Sequence, residues 1–142
     1  MKRSLVALSF AATVITAAIT VGASCAVSPP DSNQIELQRV HAGDLDVVLL
    51  SNDGALTHGK DAFTLEFRRG DTLVDVGTVK AGAAMVMAGM SPMLGSVFLE
   101  RSDVPGRYKA ETDLGMSGGW QLKLEWDGPR GKGSATMQAT AE

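Results

Sequence analysis

Trp120, Leu122, Leu124 and Trp126 occupy alternate positions, with Gln121, Lys123 and Glu125 between them. A period of two puts the large apolar side chains on one face of an extended strand and the polar ones on the other. The same alternation recurs at Phe63, Leu65 and Phe67 against Thr64, Glu66 and Arg68. It recurs at Tyr108, Ala110 and Thr112 against Lys109, Glu111 and Asp113, and at Ala135, Met137 and Ala139 against Thr136, Gln138 and Thr140. Residues 47–50 and 97–99 are short apolar runs between polar stretches. Turn signals separate these segments: Asn52-Asp53-Gly54, Gly70-Asp71, Pro105-Gly106, Gly118-Gly119 and Asp127-Gly128-Pro129. Beyond the N-terminal segment, no stretch keeps a helical period over three turns. Such spacing predicts an all-β fold, an antiparallel immunoglobulin-like β-sandwich of about seven strands. Phe63, Leu65, Phe67, Tyr108, Trp120, Leu122 and Leu124 are expected to face its core. The chain has one cysteine, so the Cys…Trp…Cys signature of antibody domains is absent and the reading concerns architecture alone.

The first 26 residues have a different character. Lys2 and Arg3 precede an apolar run over residues 5–22, and small residues follow at Ala23, Ser24 and Ala26. A basic start, apolar middle and small-residue end make an export signal. Its end has two readings. The stretch Val21-Gly22-Ala23-Ser24-Cys25 resembles a bacterial lipoprotein signal, in which Cys25 becomes the lipidated first residue and attaches the protein to a membrane. The alternative is ordinary cleavage after Ala26. Either way the mature domain has no disulfide and no thiolate nucleophile. Residues 27–34, with Pro29-Pro30 and small polar neighbours, read as a flexible tether. Residues 35–142 are left as one domain, since fewer than 120 residues follow Ala26 and they suffice for one small core. Loss of Lys2 and Arg3 with the signal takes the basic residues from 13 to 11 against 16 acidic ones, and the net charge from −3 to −5. That balance argues against a nucleic-acid partner, for which a basic patch is expected. The expected location is outside the cytoplasmic membrane, in the periplasm or facing it.

Four methionines fall within nine residues, at Met85, Met87, Met90 and Met93, and Met116 stands in the glycine-rich stretch GMSGGW. Thioether is soft, polarizable and neutral, and it suits Cu(I) in an oxidising compartment because no disulfide can consume it. Met90 and Met93 lie among Gly89, Pro92 and Gly95, a loop-like setting. Two strands, about 96–101 and 107–113, separate that loop from Met116, so two traverses of a sandwich return the chain to the same end. A histidine can join the cluster. If residues 84–88 form a strand, Met85 and Met87 share a face and His41 falls at the methionine end; if they form a loop, His58 does. The competing reading is that the methionines fill core gaps, as Met137 does by its alternation, or make an adaptable apolar contact for an envelope protein partner.

Gly115-Met116-Ser117-Gly118-Gly119 matches G-x-S-x-G, yet a nucleophile elbow needs a helix after it and a later histidine. A strand follows instead, and no histidine occurs after His58. There is no Cys/His zinc set, no phosphate-cradling glycine loop and no dinucleotide fingerprint. The sequence is therefore read as a non-enzymatic domain.

From about Leu56 to the Trp120 strand the chain resembles the YtkA-like/FixH-like family of small exported β domains. Gly59-Lys60-Asp61-Ala62-Phe63 stands where that family has a similar G-K-N-x-F start. The methionine-bearing middle, Pro105-Gly106-Arg107-Tyr108 and Met116-Ser117-Gly118-Gly119-Trp120 complete the likeness. Asp61 replaces the usual Asn, and Pro92 alone represents the prolines of the methionine loop. The resemblance implies a copper-linked role beside copper-handling or oxidase-assembly partners.

Overall fold

The computed structural model describes residues 33–142, so the export signal, Cys25 and residues 27–32 of the tether lie outside the described residues. Nine strands follow one another: β1 (Ile35–Ala42), β2 (Leu45–Ser51), β3 (Gly59–Arg69), β4 (Thr72–Leu73), β5 (Thr78–Met85), β6 (Met93–Arg101), β7 (Arg107–Leu114), β8 (Gly118–Gly128) and β9 (Gly131–Ala141). Among the described residues there is no helix, and all ladders between named strands are antiparallel.

The strands run β1-β2-β3-β7-β6-β5-β8-β9, with β4 as a short addition to β3. β6 belongs to both layers of the sandwich. Met93, Leu94 and Gly95 pair with β5, whereas residues 96–101 pair with β7. Gly95 stands at this change of layer, and a Cβ there would lie 2.9 Å from Leu114 Cδ2 and 3.1 Å from Trp120 Cζ3. The two layers also meet at the other side, where Leu56 bridges Ala141 and accepts the Glu142 N–H at 2.8 Å.

The core is the one the alternation predicted. Phe63, Leu65, Phe67, Tyr108, Trp120, Leu122, Leu124 and Met137 are all buried. Phe67 meets Tyr108 and Trp126 edge to face, at centroid distances of 5.5 Å and 5.2 Å. These are favourable aromatic geometries and add to the area that the rings bury.

The strand before the methionine loop lies earlier than the sequence suggested. It covers Thr78–Met85 and ends at Met85, so Met87 falls in the following connection. Its sequence is TVKAGAAM, in which small residues hide the period of two. Val79, Ala81, Ala83 and Met85 turn inward, while Thr78, Lys80 and Gly82 are exposed.

Candidate functional site

The two ends of the sandwich are chemically different. Tracing β5 outward, Met85 ends the strand and pairs with Met93, the first residue of β6. Directly opposed residues in an antiparallel pair share a face, with Cα atoms roughly 4.5–5.5 Å apart. Both side chains turn into the end of the sandwich, where they reach the β7–β8 turn. A Cβ at Gly118 would sit 3.1 Å from Met85 Cε and 3.9 Å from its Sδ, and a Cβ at Gly115 would sit 3.6 Å from Met93 Sδ. Met116 lies between those glycines. The turn bridges the two layers, because Leu114 before it pairs with Gly59 of β3 and Gly118 after it pairs with Ala141 of β9.

The turn is anchored from below. Trp120 Nε1–H donates to the Met116 carbonyl at 3.0 Å, and the indole is fully buried. Gly118 adopts φ +127°, a region L side chains rarely enter. The glycines and the tryptophan of MSGGW are thus explained by a tight turn held over buried thioethers.

Burial grades the methionines. Met85 is 5% exposed, and Met87 and Met93 are half-buried against the core. Met116 is partly open, while Met90 is 63% exposed at the loop between β5 and β6, with its N–H donating to the Met87 carbonyl at 3.2 Å. The structure therefore brings Met85, Met93 and the Met116 turn together, with Met87 and Met90 on the adjoining loop.

His58 completes this end. It precedes Gly59, the partner of Leu114. Its N–H and its Nδ1 both approach the Glu142 main-chain oxygen, at 2.9 Å and 2.8 Å. That oxygen only accepts, so Nδ1 carries the proton, and in the neutral ring Nε2 keeps its lone pair. Asp61 fixes the approach to this histidine, since its Oδ2 accepts the Thr57 N–H at 2.7 Å and its Oδ1 accepts the Ala62 N–H at 2.7 Å.

His41 is not part of this end. It pairs with Asp46, which pairs in turn with Arg68 near the far end of β3, and its Nδ1 lies in hydrogen-bond contact with the Asp46 carboxylate. The sequence reading assigned His41 here if residues 84–88 formed a strand, and His58 if they formed a loop. Of that stretch only Ala84 and Met85 lie in β5, which starts at Thr78, and β4 lies alongside β3, so residues 72–85 make one crossing. The count then selects His58.

Among the described residues, no three His, Cys, Asp or Glu side chains gather as a metal-holding group. The donors that do gather are thioethers, with one imidazole at the same end. A hollow of about 820 Å³ lies at the opposite end along Thr78, Lys80, Glu125, Trp126 and Lys132, and no methionine lines it. A strand follows Ser117 where a nucleophile elbow has a helix.

No curated protein and no solved structure matches the chain. The YtkA-like family matches residues 39–125, from Arg39 in β1 to Glu125 in β8, a span that holds both histidines and the methionine end. The chain belongs to the YtkA-like family.

Proposed function

We propose that this is an exported, non-catalytic domain that binds Cu(I) at its methionine end and buffers it or passes it to an envelope partner. One observation carries the reading: Met85 and Met93, opposed across β5 and β6, both reach the turn that presents Met116. Three soft, neutral donors then converge on one end, with the His58 imidazole nearby. Soft thioether and imidazole donors favour Cu(I) over hard cations such as Mg²⁺ or Ca²⁺. Part of the set is buried, which shields a bound ion, and part is open, which admits it.

The test is competition for Cu(I) against a chromogenic chelator. Wild type should withdraw Cu(I), and Met93→Leu/Met116→Leu should hold it at least about tenfold more weakly, since leucine keeps shape and apolarity but removes sulfur. If wild type withdraws no Cu(I), the copper reading falls. A second reading then stands, supported by the exposure of Val86 and Met90 beside the turn: a metal-free apolar contact surface for an assembly partner. In that case the leucine substitutions leave partner binding intact.

A further inference from the structure

The outer face of β6 carries two large apolar side chains in the open. Leu94 is 78% exposed and Phe98 is 70% exposed, on a strand whose alternation places both on the same face. Such side chains on an edge strand invite pairing with another strand. β6 is an edge over part of its length. Its ladder with β5 stops at Ala83↔Gly95, and beyond it only β7 runs beside β6.

The hydrogen-bond pattern tells which groups are free. Ser102 N–H donates to the Arg107 carbonyl at 3.0 Å, in register with the β6–β7 ladder. Bonded pairs in an antiparallel ladder recur every second residue, so Ser96, Phe98 and Glu100 direct their main-chain groups to β7. Val97 and Leu99 direct theirs away from β7, and among the described residues no strand pairs with them on that outer side. Gly95 is engaged by β5, and the Arg101 side chain is held by Asp75 at 2.6 Å. The free edge is therefore short and centred on Phe98.

We propose that this edge pairs with the same edge of a second copy of the chain, in one register. A two-fold antiparallel arrangement that uses both free residues must set Val97 opposite Leu99 of the second copy, and the reverse. Phe98 then falls opposite Phe98 of the second copy. That is a non-bonded pair with Cα atoms roughly 4.5 Å apart, where aromatic side chains stack. Moving one step either way sets Gly95 or Arg101 against a free residue and leaves Phe98 facing Ser96 or Glu100.

Charge agrees with this register. Glu100 faces Ser96 of the second copy and lies across from Lys109 of its own chain, so no like charges are opposed. The extra cover reaches Val97 and Leu99, which are only partly buried in the single chain. The surface is small beside the roughly 1,200 Å² of the least extensive stable interfaces, so association is weak, on the order of 10–500 µM. The arrangement is independent of copper.

Cross-linking tests it on the full chain with Cys25→Ser, kept in mild detergent because of its apolar N-terminal run. Phe98→Cys should form a disulfide-linked dimer under diamide, at least about tenfold faster than Ser96→Cys, whose two copies would stand roughly 13 Å apart along the strands. Without engineered thiols, wild type should show a concentration-dependent shift to dimer in sedimentation, and Phe98→Lys should abolish it. Phe98 is exposed, so that substitution leaves the fold intact, as circular dichroism will verify. Monomeric wild type up to about 1 mM, well above the association range inferred from the interface size, overturns the proposal. Equal or faster cross-linking of Ser96→Cys, or a dimer indifferent to Phe98→Lys, overturns it as well.

Discussion

At the residue scale, Tyr108 joins two regions that are far apart in sequence. Its ring packs on Phe67, and its hydroxyl donates to the Gly77 carbonyl at 2.7 Å. Burial raises its pKa above the ordinary tyrosine value, and the nearby Asp75 carboxylate pushes in the same direction. The sign follows from proton binding. Near pH 10 the unfolded chain begins to release the phenolic proton while the folded chain retains it, so the contribution present below that value is lost as pH rises toward the folded pKa. Tyr108→Phe should cost about 1 kcal/mol at pH 8, with the Gly77 carbonyl left unpaired, and the deficit should shrink by about pH 11. Urea unfolding of both proteins at the two pH values checks this, and a constant deficit would contradict it. Absorbance reports the titration directly, because Tyr108 is the sole tyrosine.

Residues also show where alternation misleads. Glu66 alternates with core residues and reads as solvent-facing, yet it is fully buried. Arg68 Nε and Arg107 Nε donate to it at 2.7 Å and 2.8 Å, a pairing that joins β3 to β7. A period of two assigns faces; it does not say that the outer face is open. Val48 and Leu50 of the neighbouring β2, and Thr64 of β3, are buried on the same face.

At the scale of elements, strands rich in bulky apolar residues were legible and β5 was not. In β8 each inward position holds Trp or Leu, so its period stands out. In β5 the inward positions are Val79, Ala81, Ala83 and Met85, and the outward set includes Gly82 and Ala84, so neither period nor boundary shows. That one boundary decides between the two histidines and selects His58. The layer change in β6 was equally hidden, because it depends on space around Gly95 and not on a turn signal. Gly95→Ala should destabilise by about 1–3 kcal/mol through overpacking against Leu114 and Trp120. Thermal unfolding reads this, and an unchanged or raised midpoint would show that the crossing has room to spare.

At the scale of the whole molecule, topology makes one end. β5, β7 and β9 all finish at the methionine end, and the loops or turns after β5 and β7 hold Met87, Met90 and Met116. Sequence pattern alone placed the loop methionines with Met116, because each traverse reverses direction. It could not say that Met85 and Met93 would lie against the turn, since that contact depends on strand register. In the proposed copper site Met85, Met93 and Met116 form one Cu(I)-binding set, and Met137, buried elsewhere in the core, takes no part. Methyl NMR of ¹³C-methionine-labelled protein tests this most directly. On addition of Cu(I), the Met85, Met93 and Met116 resonances should shift together and saturate at one equivalent, with Met137 unmoved. A spectrum unchanged by Cu(I), or one in which only the exposed Met90 responds, would contradict it.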